Sequence, residues 1–224
     1  MNMQNDTQQL RKNCQCQQSA NEKKQNDTVR RKKELRSFIR KTLATFRESP
    51  LYKEYSKKAA QNFLTSELYA AAPLILAFVS LKNEIDTHPL IEKMMKDGKK
   101  VAVPLTSDTS MFFKLLDNGK PLCEQLRRGN YDIEEPLPEL EEIAPETLPA
   151  GTVVLVPGMA FSQDGARLGK GKGYYDTYLA RVPATTKLVG YAFQTQIIEA
   201  VPCEMHDKKA NYLATEERIT ECKI

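Results

Sequence analysis

The chain has 224 residues, of which 41% are hydrophobic and 28% are charged, with ten Gly and twelve Pro. That mixture excludes collagen, low-complexity and heptad-repeat fibrous proteins, and the length is enough to bury a large core without disulfides. The net charge is +4, but residues 1–36 hold nine Lys/Arg against four acids, so the remainder is nearly neutral. A near-neutral body argues against nucleic-acid binding by the fold itself.

The sequence also argues against a membrane protein and against a protein with a zinc site built from cysteines. No apolar run approaches the ~20 residues that a membrane helix needs, and no apolar secretory signal stands at the start. Of five Cys, only Cys14 and Cys16 are close together, and their C-x-C spacing is shorter than the usual zinc-site C-x-x-C. We therefore expect a cytoplasmic protein with reduced thiols and no membrane partner.

The first third of the chain predicts a polar extension followed by two helices. Residues 1–28 are rich in Gln, Asn and Lys with almost nothing apolar, which predicts disorder, and 29–224 are then a single α/β domain. From Val29, apolar spacing predicts a long first helix, and Ser49-Pro50 predicts the start of a second. The predicted inward residues are Leu35, Phe38, Ile39, Leu43 and Phe46 in the first helix, and Tyr52, Tyr55, Ala59 and Phe63 in the second.

Short apolar runs alternate with helical segments through the middle of the chain. We predict buried strands at 74–79, at 101–103 with Pro104 as its end, and at 111–116. A helix from Pro89 to Gly98 separates the first two, and a short helix is predicted over 122–128. Residues 136–151 contain four prolines among acids and are interpreted as a surface connection between two halves.

The strongest strand signal is Val153–Val156, followed by a Gly-rich turn, a helix over 173–182 and a last strand over 188–193. Strands that are continuous apolar runs and that alternate with helices are buried on both faces. The pattern therefore predicts a three-layer α/β/α fold on a mostly parallel central sheet.

The segment most informative about function follows strand 153–156. Gly169, Gly171 and Gly173 alternate there with Lys170 and Lys172, and a predicted helix follows. Glycines allow close approach of the backbone to an anion, ammonium groups surround it, and the helix N-terminus adds free N–H groups. The pattern predicts a phosphate-binding loop at the carboxyl end of a strand. Its spacing matches neither the P-loop nor the dinucleotide fingerprint.

Four segments carry a resemblance to a known family. The run V-P-G-M-A-F-S-Q-D-G-A-R-L-G-K-G-K-G-Y-Y-D over 156–176 resembles the signature of the 5-formyltetrahydrofolate cyclo-ligase family. The runs K-K-E-L-R over 32–36, V-S-L-K-N-E-I-D-T over 79–87 and H-D over 206–207 resemble further segments of that family, in the same order. The resemblance covers about residues 30–220.

The resemblance implies a ligase that uses ATP and Mg²⁺ to convert 5-formyltetrahydrofolate to 5,10-methenyltetrahydrofolate, releasing ADP and phosphate through a phosphorylated iminium at N5. It implies ATP binding by Lys32, Lys33, Arg36, Arg167, Leu168, Gly169, Lys170, Gly171, Lys172, Gly173, Tyr174 and Tyr175. It implies folate binding by Val79, Glu84, Tyr131, Lys170, Tyr174 and Tyr175, catalysis by Lys170, Lys172 and Tyr175, and Mg²⁺ ligands at Asp176 and Asp207.

This chain departs from the family pattern at two positions: Lys170 stands where many members have Arg or Tyr, and Asn211 stands where many have Asp. Structural roles stay open for several of these residues. Lys32 and Arg36 also suit a solvated helix face, and Tyr131 suits a core. Glu84 suits a helix-capping acid, and Asp176 suits an acid in the first turn of a helix. Two other functions stay open as well: a relative of sugar-phosphate isomerases or CoA-transferases, and a nucleotide- or RNA-associated module without turnover. We expect folate and ATP as partners, no nucleic acid, and a monomer or weak dimer.

Overall fold

A computed structural model describes residues 27–129, 134–203 and 207–223. Its helices are α1 (27–47), α2 (Leu51–Leu64), α3 (Glu67–Ala71), α4 (His88–Lys96), α5 (Leu122–Gln125) and α6 (Tyr174–Leu179). Its strands are β1 (Ile75–Leu76), β2 (Val101–Thr106), β3 (Met111–Leu115), β4 (Leu126–Arg128), β5 (Glu134–Pro136), β6 (Glu142–Ile143), β7 (Val153–Val156), β8 (Ala160–Ser162), β9 (Arg167–Leu168), β10 (Lys187–Tyr191), β11 (Ile197–Ile198), β12 (Tyr212–Ala214) and β13 (Ile219–Glu221). Within these residues, no helix has the length and apolar character needed to span a membrane.

Eight strands form one sheet in the order β13-β12-β10-β7-β1-β2-β3-β6. The central strands from β12 to β2 are parallel, which confirms the predicted mostly parallel sheet. Strands β13, β3 and β6 add antiparallel edges that the sequence pattern did not predict. The chain order runs one way from β1 to β3 and the other way from β7 to β12. The carboxyl ends of β1 and β7 therefore flank a topological switch point, where open α/β sheets bind ligands.

The central strands are buried on both faces, as their continuous apolar runs predict. In β1 and β7, Ile75, Val153 and Leu155 contribute to one hydrophobic cluster, which also contains side chains of α1, α2 and α4. Their neighbours Leu76 and Val154 contribute to a second cluster, which contains side chains of α6. Successive side chains of a strand point to opposite faces, so the sheet is the middle layer of the predicted α/β/α arrangement.

The first two helices match their predicted positions with one error. Ile39 and Leu43 of α1 are buried, whereas Phe38 is 66% exposed and points away from the core. Phe38 is three residues after Leu35, which is why the spacing suggested a buried position. It is also the residue next to Ile39, and because a helix turns about 100° per residue, its Cβ points away from the face on which Ile39 is buried. The predicted extension over 1–28 lies almost wholly outside the described residues, and the single domain over 29–224 stays a prediction.

Several predicted boundaries in the middle of the chain are wrong. Only Ile75–Leu76 of the predicted strand 74–79 forms a ladder. Strand β2 continues past Pro104 to Thr106. The carbonyl groups of Lys100 and Ala102 accept hydrogen bonds from the segment of β1. The nitrogen of Pro104 points to the same edge of β2, but the pairing with β1 has ended before that position. A proline there removes no ladder hydrogen bond.

Tertiary pairing also overrides two local predictions. Residues 126–128 form β4 rather than the end of a helix, since they pair antiparallel with β5 and set Arg127 opposite Glu135. The proline-rich segment 136–151 is more than a connection, because its β6 is an edge strand of the main sheet. Helix α6 ends at Leu179 instead of 182, in keeping with Pro183, which disfavours helical backbone at the residue before it.

Candidate functional site

The carboxyl edge of the sheet holds an open cleft of about 530 Å³. Phe78 and Val79 follow β1, Pro157 and Gly158 follow β7, and all four line it. The other walls come from α1, from the loop between β1 and α4, from the loop between β2 and β3, from β5 and from the segment between β9 and α6. The cleft thus lies at the switch point of the sheet. The glycine-rich loop was predicted only to lie at the carboxyl end of a strand.

The glycine-rich loop 169–173 forms one wall of this cleft. Gly171 and Gly173 have positive φ angles of 103° and 74°, a backbone region that residues with a Cβ rarely enter. Gly173 is the residue before α6. That helix has only six residues, so its dipole adds less positive potential than the predicted ten-residue helix would. The cationic side chains that line the cleft therefore supply most of its positive charge.

Arg167 is the most buried cation in the cleft. Its guanidinium donates a 2.5 Å hydrogen bond from Nη2 to Asp176 Oδ1, and its side chain is 6% exposed. A second, longer bond reaches Pro157 O at 3.4 Å. Its Nε is buried and has no partner among the described residues. This donor is desolvated without compensation, which is the usual sign of a missing acceptor.

Tyr175 presents another buried polar atom with no partner within the described part of the chain, its hydroxyl oxygen. The ring lies 5.8 Å from the Arg167 guanidinium and packs edge-on against Phe113. Burial raises the pKa of Tyr175, so the hydroxyl stays protonated. It is a neutral donor at the wall of the cleft.

Glu84 lies opposite the glycine-rich loop. Its Oε1 is 2.6 Å from Lys170 Nζ, and its side chain is 13% exposed. Its Oε2 accepts a 2.9 Å hydrogen bond from the backbone N–H of Leu81. The carboxylate is thereby fixed in direction and neutralised by a cation that belongs to the facing loop.

Helix α1 closes a third side of the cleft. Lys32 Nζ lies 3.0 Å from Asp207 Oδ2, with both side chains nearly buried. Arg36 donates from Nε to Gly169 O at 2.8 Å. Residues four apart share one face of a helix, so both reach the cleft. Lys33 is one position further round the helix; it is exposed and does not line the cleft.

Most of the sequence-predicted site residues are brought together. The cleft is lined by Lys32, Arg36, Val79, Glu84, Arg167, Leu168, Gly169, Lys170, Gly171, Lys172, Gly173, Tyr174, Tyr175, Asp176 and Asp207. Tyr131 lies outside the described residues. Tyr174 also donates from its hydroxyl to Ser107 O at 3.0 Å, which fixes the loop after β2 against α6.

Sequence reasoning missed the far wall of the cleft. That wall is lined by Ser107, Asp108, Glu134 and Glu135. They were not predicted because none of them belongs to a recognisable motif. Glu134 and Glu135 were part of a run of acids and prolines whose local pattern indicates only a loop. Pairing of β5 with β4 and its packing beside β2 bring them to the cleft.

The acidic groups suited to a metal are few. Across the described ranges, no group of three or more His, Cys, Asp or Glu side chains converges. Asp176 and Asp207 line the same cleft, and each pairs with a cation there. Asn211 is not part of that set: its Oδ1 accepts the N–H of Leu188, and its backbone N–H donates to Leu188 O.

The fold and the cleft define an α/β protein with a cation-rich site at the carboxyl edge of a parallel sheet. Residues 28–216 match the 5-formyltetrahydrofolate cyclo-ligase family. The chain therefore belongs to the 5-formyltetrahydrofolate cyclo-ligase family.

Individual relatives agree with this assignment. The chain is 32% identical over 169 residues to 5-formyltetrahydrofolate cyclo-ligase of Escherichia coli strain K12, across 75% of this chain and 91% of the relative. It is 29% identical over 165 residues to the Mus musculus protein of that name, across 70% and 80%. The solved structure of Aquifex aeolicus 5,10-methenyltetrahydrofolate synthetase superposes with a TM-score of 0.71 at 28% identity, across 86% of this chain and 93% of that one.

Proposed function

We propose that this chain is an ATP- and Mg²⁺-dependent 5-formyltetrahydrofolate cyclo-ligase, which forms 5,10-methenyltetrahydrofolate, ADP and phosphate. The observation that carries the proposal is the Lys170–Glu84 ion pair. It joins a phosphate-type glycine-lysine loop to a fixed carboxylate in one cleft, in a chain of this family. A ligase of this kind needs a polyanion and a pterin side by side, and the two walls suit those two ligands.

The cations of the cleft suit the phosphates of ATP. Lys32 and Arg36 on α1 line the cavity together with Arg167, Lys170 and Lys172, and charge-assisted hydrogen bonds from such groups are the strong ones. The unpartnered Nε of Arg167 would gain an acceptor from a bound phosphate oxygen. Lys33 is left out of this set, because α1 directs it away from the cavity.

Glu84 suits the pterin. The edge of a pterin ring that carries the exocyclic amine and a ring N–H presents two adjacent donors, which a carboxylate can accept together. Leu81 N already fixes the direction of the Glu84 carboxylate. Val79 and Tyr175 supply apolar and aromatic surface in the same cleft. Tyr131 stays a proposed folate contact from the family resemblance.

Asp176 and Asp207 would hold Mg²⁺ together with phosphate oxygens and water. Mg²⁺ in nucleotide sites commonly takes one or two carboxylates, with phosphate oxygens and water completing six ligands. When bound, the ion would neutralise charge that develops on the phosphates. Arg167 and Lys32 hold the two carboxylates in place in the cleft.

The proposed reaction is a phosphoryl transfer followed by ring closure. The formyl oxygen on N5 attacks the γ-phosphorus, and the bond to ADP breaks. N10 then adds to the formyl carbon and loses its proton to solvent, and departure of the oxygen as phosphate leaves the methenyl bridge. A formyl oxygen is a weak nucleophile, so positioning and charge stabilisation by Lys170 and Lys172 carry the catalysis. The protonated Tyr175 hydroxyl is a neutral donor to oxygen at the reacting centre.

The test is an assay of the purified full chain with 5-formyltetrahydrofolate, with and without ATP and Mg²⁺, followed by the absorbance of the methenyl product. Product should form only with both present, and one ADP should accompany each product. Product without ATP, as for an isomerase or CoA-transferase relative, or ATP loss without folate, would refute the proposal. Salt-sensitive RNA binding without turnover would instead support the binding-module alternative.

A further inference from the structure

The loop that carries Glu84 is held from outside by side chains of the first two helices. Arg47 of α1 donates from Nε to Lys82 O at 2.8 Å. Tyr52 of α2 donates from its hydroxyl to Glu84 O at 2.6 Å. Ser56, one turn further along α2, accepts the N–H of Asp86 on its Oγ at 3.2 Å. Every second residue of the loop from 82 to 86 therefore has its backbone bonded to a helix.

Tyr52 is the centre of this attachment. Its side chain is 5% exposed, and the Arg47 guanidinium lies 4.1 Å from its ring centroid. Phe46 and Phe193 pack against the same ring. A hydroxyl held among aromatic rings has few alternative partners, and burial raises the pKa of Tyr52 to about 12, so it remains a donor.

The backbone carbonyl and the side-chain carboxylate of Glu84 have different partners. The carbonyl is bound by Tyr52 on the outer side, while the carboxylate accepts from Leu81 N and pairs with Lys170 on the cleft side. Rotation of the loop would therefore move the carbonyl and the carboxylate of Glu84 together. Binding groups must be held to within a fraction of an ångström of their working geometry, and neighbouring hydrogen bonds provide that support.

We propose that Tyr52 is a positioning residue for the folate substrate, which acts by fixing the Glu84 backbone so that its carboxylate meets the pterin. Arg47 supports the same loop from α1. This inference rests on the proposed function only in taking folate as the ligand of Glu84. It assigns to Tyr52, which does not line the cleft, an effect on folate affinity that is exerted through Glu84.

The experiment measures equilibrium binding of 5-formyltetrahydrofolate, without ATP, to the full chain and to Tyr52→Phe. Removing the hydroxyl alone should weaken folate binding about fivefold to tenfold, since a lost hydrogen bond to a backbone carbonyl is worth about 1 kcal/mol. ADP binding and kcat should stay within about twofold of wild type. Arg47→Leu should weaken folate binding in the same direction.

Tyr55→Phe is the matched control. Tyr55 packs in the same aromatic cluster, 5.8 Å from Phe46, yet within the described chain it is Tyr52 and not Tyr55 that bonds the loop. Its variant should bind folate like wild type. Equal weakening in both variants would mean that the aromatic cluster acts only through general stability, and the proposal would be overturned.

A double-mutant cycle separates positioning from stability. If Tyr52 acts through Glu84, then Tyr52→Phe should have no further effect on folate binding in a Glu84→Gln background. Additive effects would overturn the positioning role. Failure of the wild-type chain to form product, with folate binding still shifted by Tyr52→Phe, would refute the proposed reaction and leave this inference intact.

Discussion

Lys170 Nζ lies 2.6 Å from Glu84 Oε1 and thereby joins the glycine-rich loop to the loop after β1 across the cleft. Each partner is also a proposed ligand group, Lys170 for phosphate and Glu84 for the pterin. A nucleotide that attracts Lys170 would leave the Glu84 carboxylate without its cation and open to other donors. The two ligands should therefore bind interdependently.

We predict that ADP and 5-formyltetrahydrofolate alter each other's affinity, and by the same factor, because coupling between two sites is reciprocal. Lys170→Met retains the length of the side chain and removes its charge, so it should abolish that coupling and weaken ADP binding about fivefold. Titration of each ligand at fixed concentrations of the other checks both statements. Coupling that persists in Lys170→Met would show that another contact links the two ligands.

The N-terminal extension and α1 should differ in their effect on activity. Deletion of residues 1–26 should leave kcat/KM within about threefold, since a polar extension contributes little to transition-state binding. Arg36→Ala should instead cost about 1.5–3 kcal/mol, chiefly in ATP affinity, because it removes a charged donor and the bond to Gly169 O.

Arg40→Ala is the control for Arg36→Ala, since Arg40 is an exposed arginine one turn further along α1 that does not line the cleft. Steady-state kinetics at varied ATP measures all three changes. A silent Arg36→Ala together with an inactive truncation would contradict the placement of the ATP site.

Asp207→Asn should raise the Mg²⁺ concentration needed for half-maximal rate about tenfold or more, because one of two carboxylates becomes a neutral oxygen. Asn211→Asp should leave the Mg²⁺ requirement unchanged. The new carboxylate would still accept the N–H of Leu188, and position 211 does not line the cleft.

Activity measured over a Mg²⁺ titration, with melting temperatures taken in the absence of metal, tests this pair of variants. If Asp207→Asn titrates like wild type, Asp207 has a structural role and is not a Mg²⁺ ligand.

His88 should make stability depend on pH. Its pKa is raised above 6.5 by hydrogen bonding to Asp86 and Glu134, although burial opposes the shift. Nε2 lies 2.7 Å from Glu134 Oε2 and Nδ1 lies 3.2 Å from Asp86 Oδ1, so the ring links α4 to β5. Ser80 Oγ is its third polar neighbour.

A raised folded pKa means that the stabilisation is complete below the unfolded value and is lost as pH rises through the folded one. His88→Asn should therefore lower the melting temperature more at about pH 6 than at about pH 8.5. Thermal unfolding of both proteins at the two pH values is the measurement. An equal loss at both would show that the charge of His88 does not contribute.

The fold was predictable where local pattern and tertiary burial agree. Val153–Val156 is a continuous apolar run, and the strand forms at those residues because both of its faces are covered. Local pattern failed where pairing decides. Leu126–Arg128 has helix-forming residues, but β5 offers it a hydrogen-bonded partner with opposite charges.

The sequence alone determined two walls of the cleft, since 169–176 and 32–36 are short segments whose spacing brings their functional side chains together. It did not indicate the far wall, which contains Ser107, Asp108, Glu134 and Glu135. Only the tertiary structure decided what those groups contact. Lys170 and Glu84 are far apart in the chain, and their ion pair exists because parallel strands end at one edge of the sheet. The contact between Tyr52 and Glu84 also depends on the tertiary structure. Packing of α2 against the sheet brings the Tyr52 hydroxyl to the Glu84 carbonyl, and no local sequence pattern connects the two.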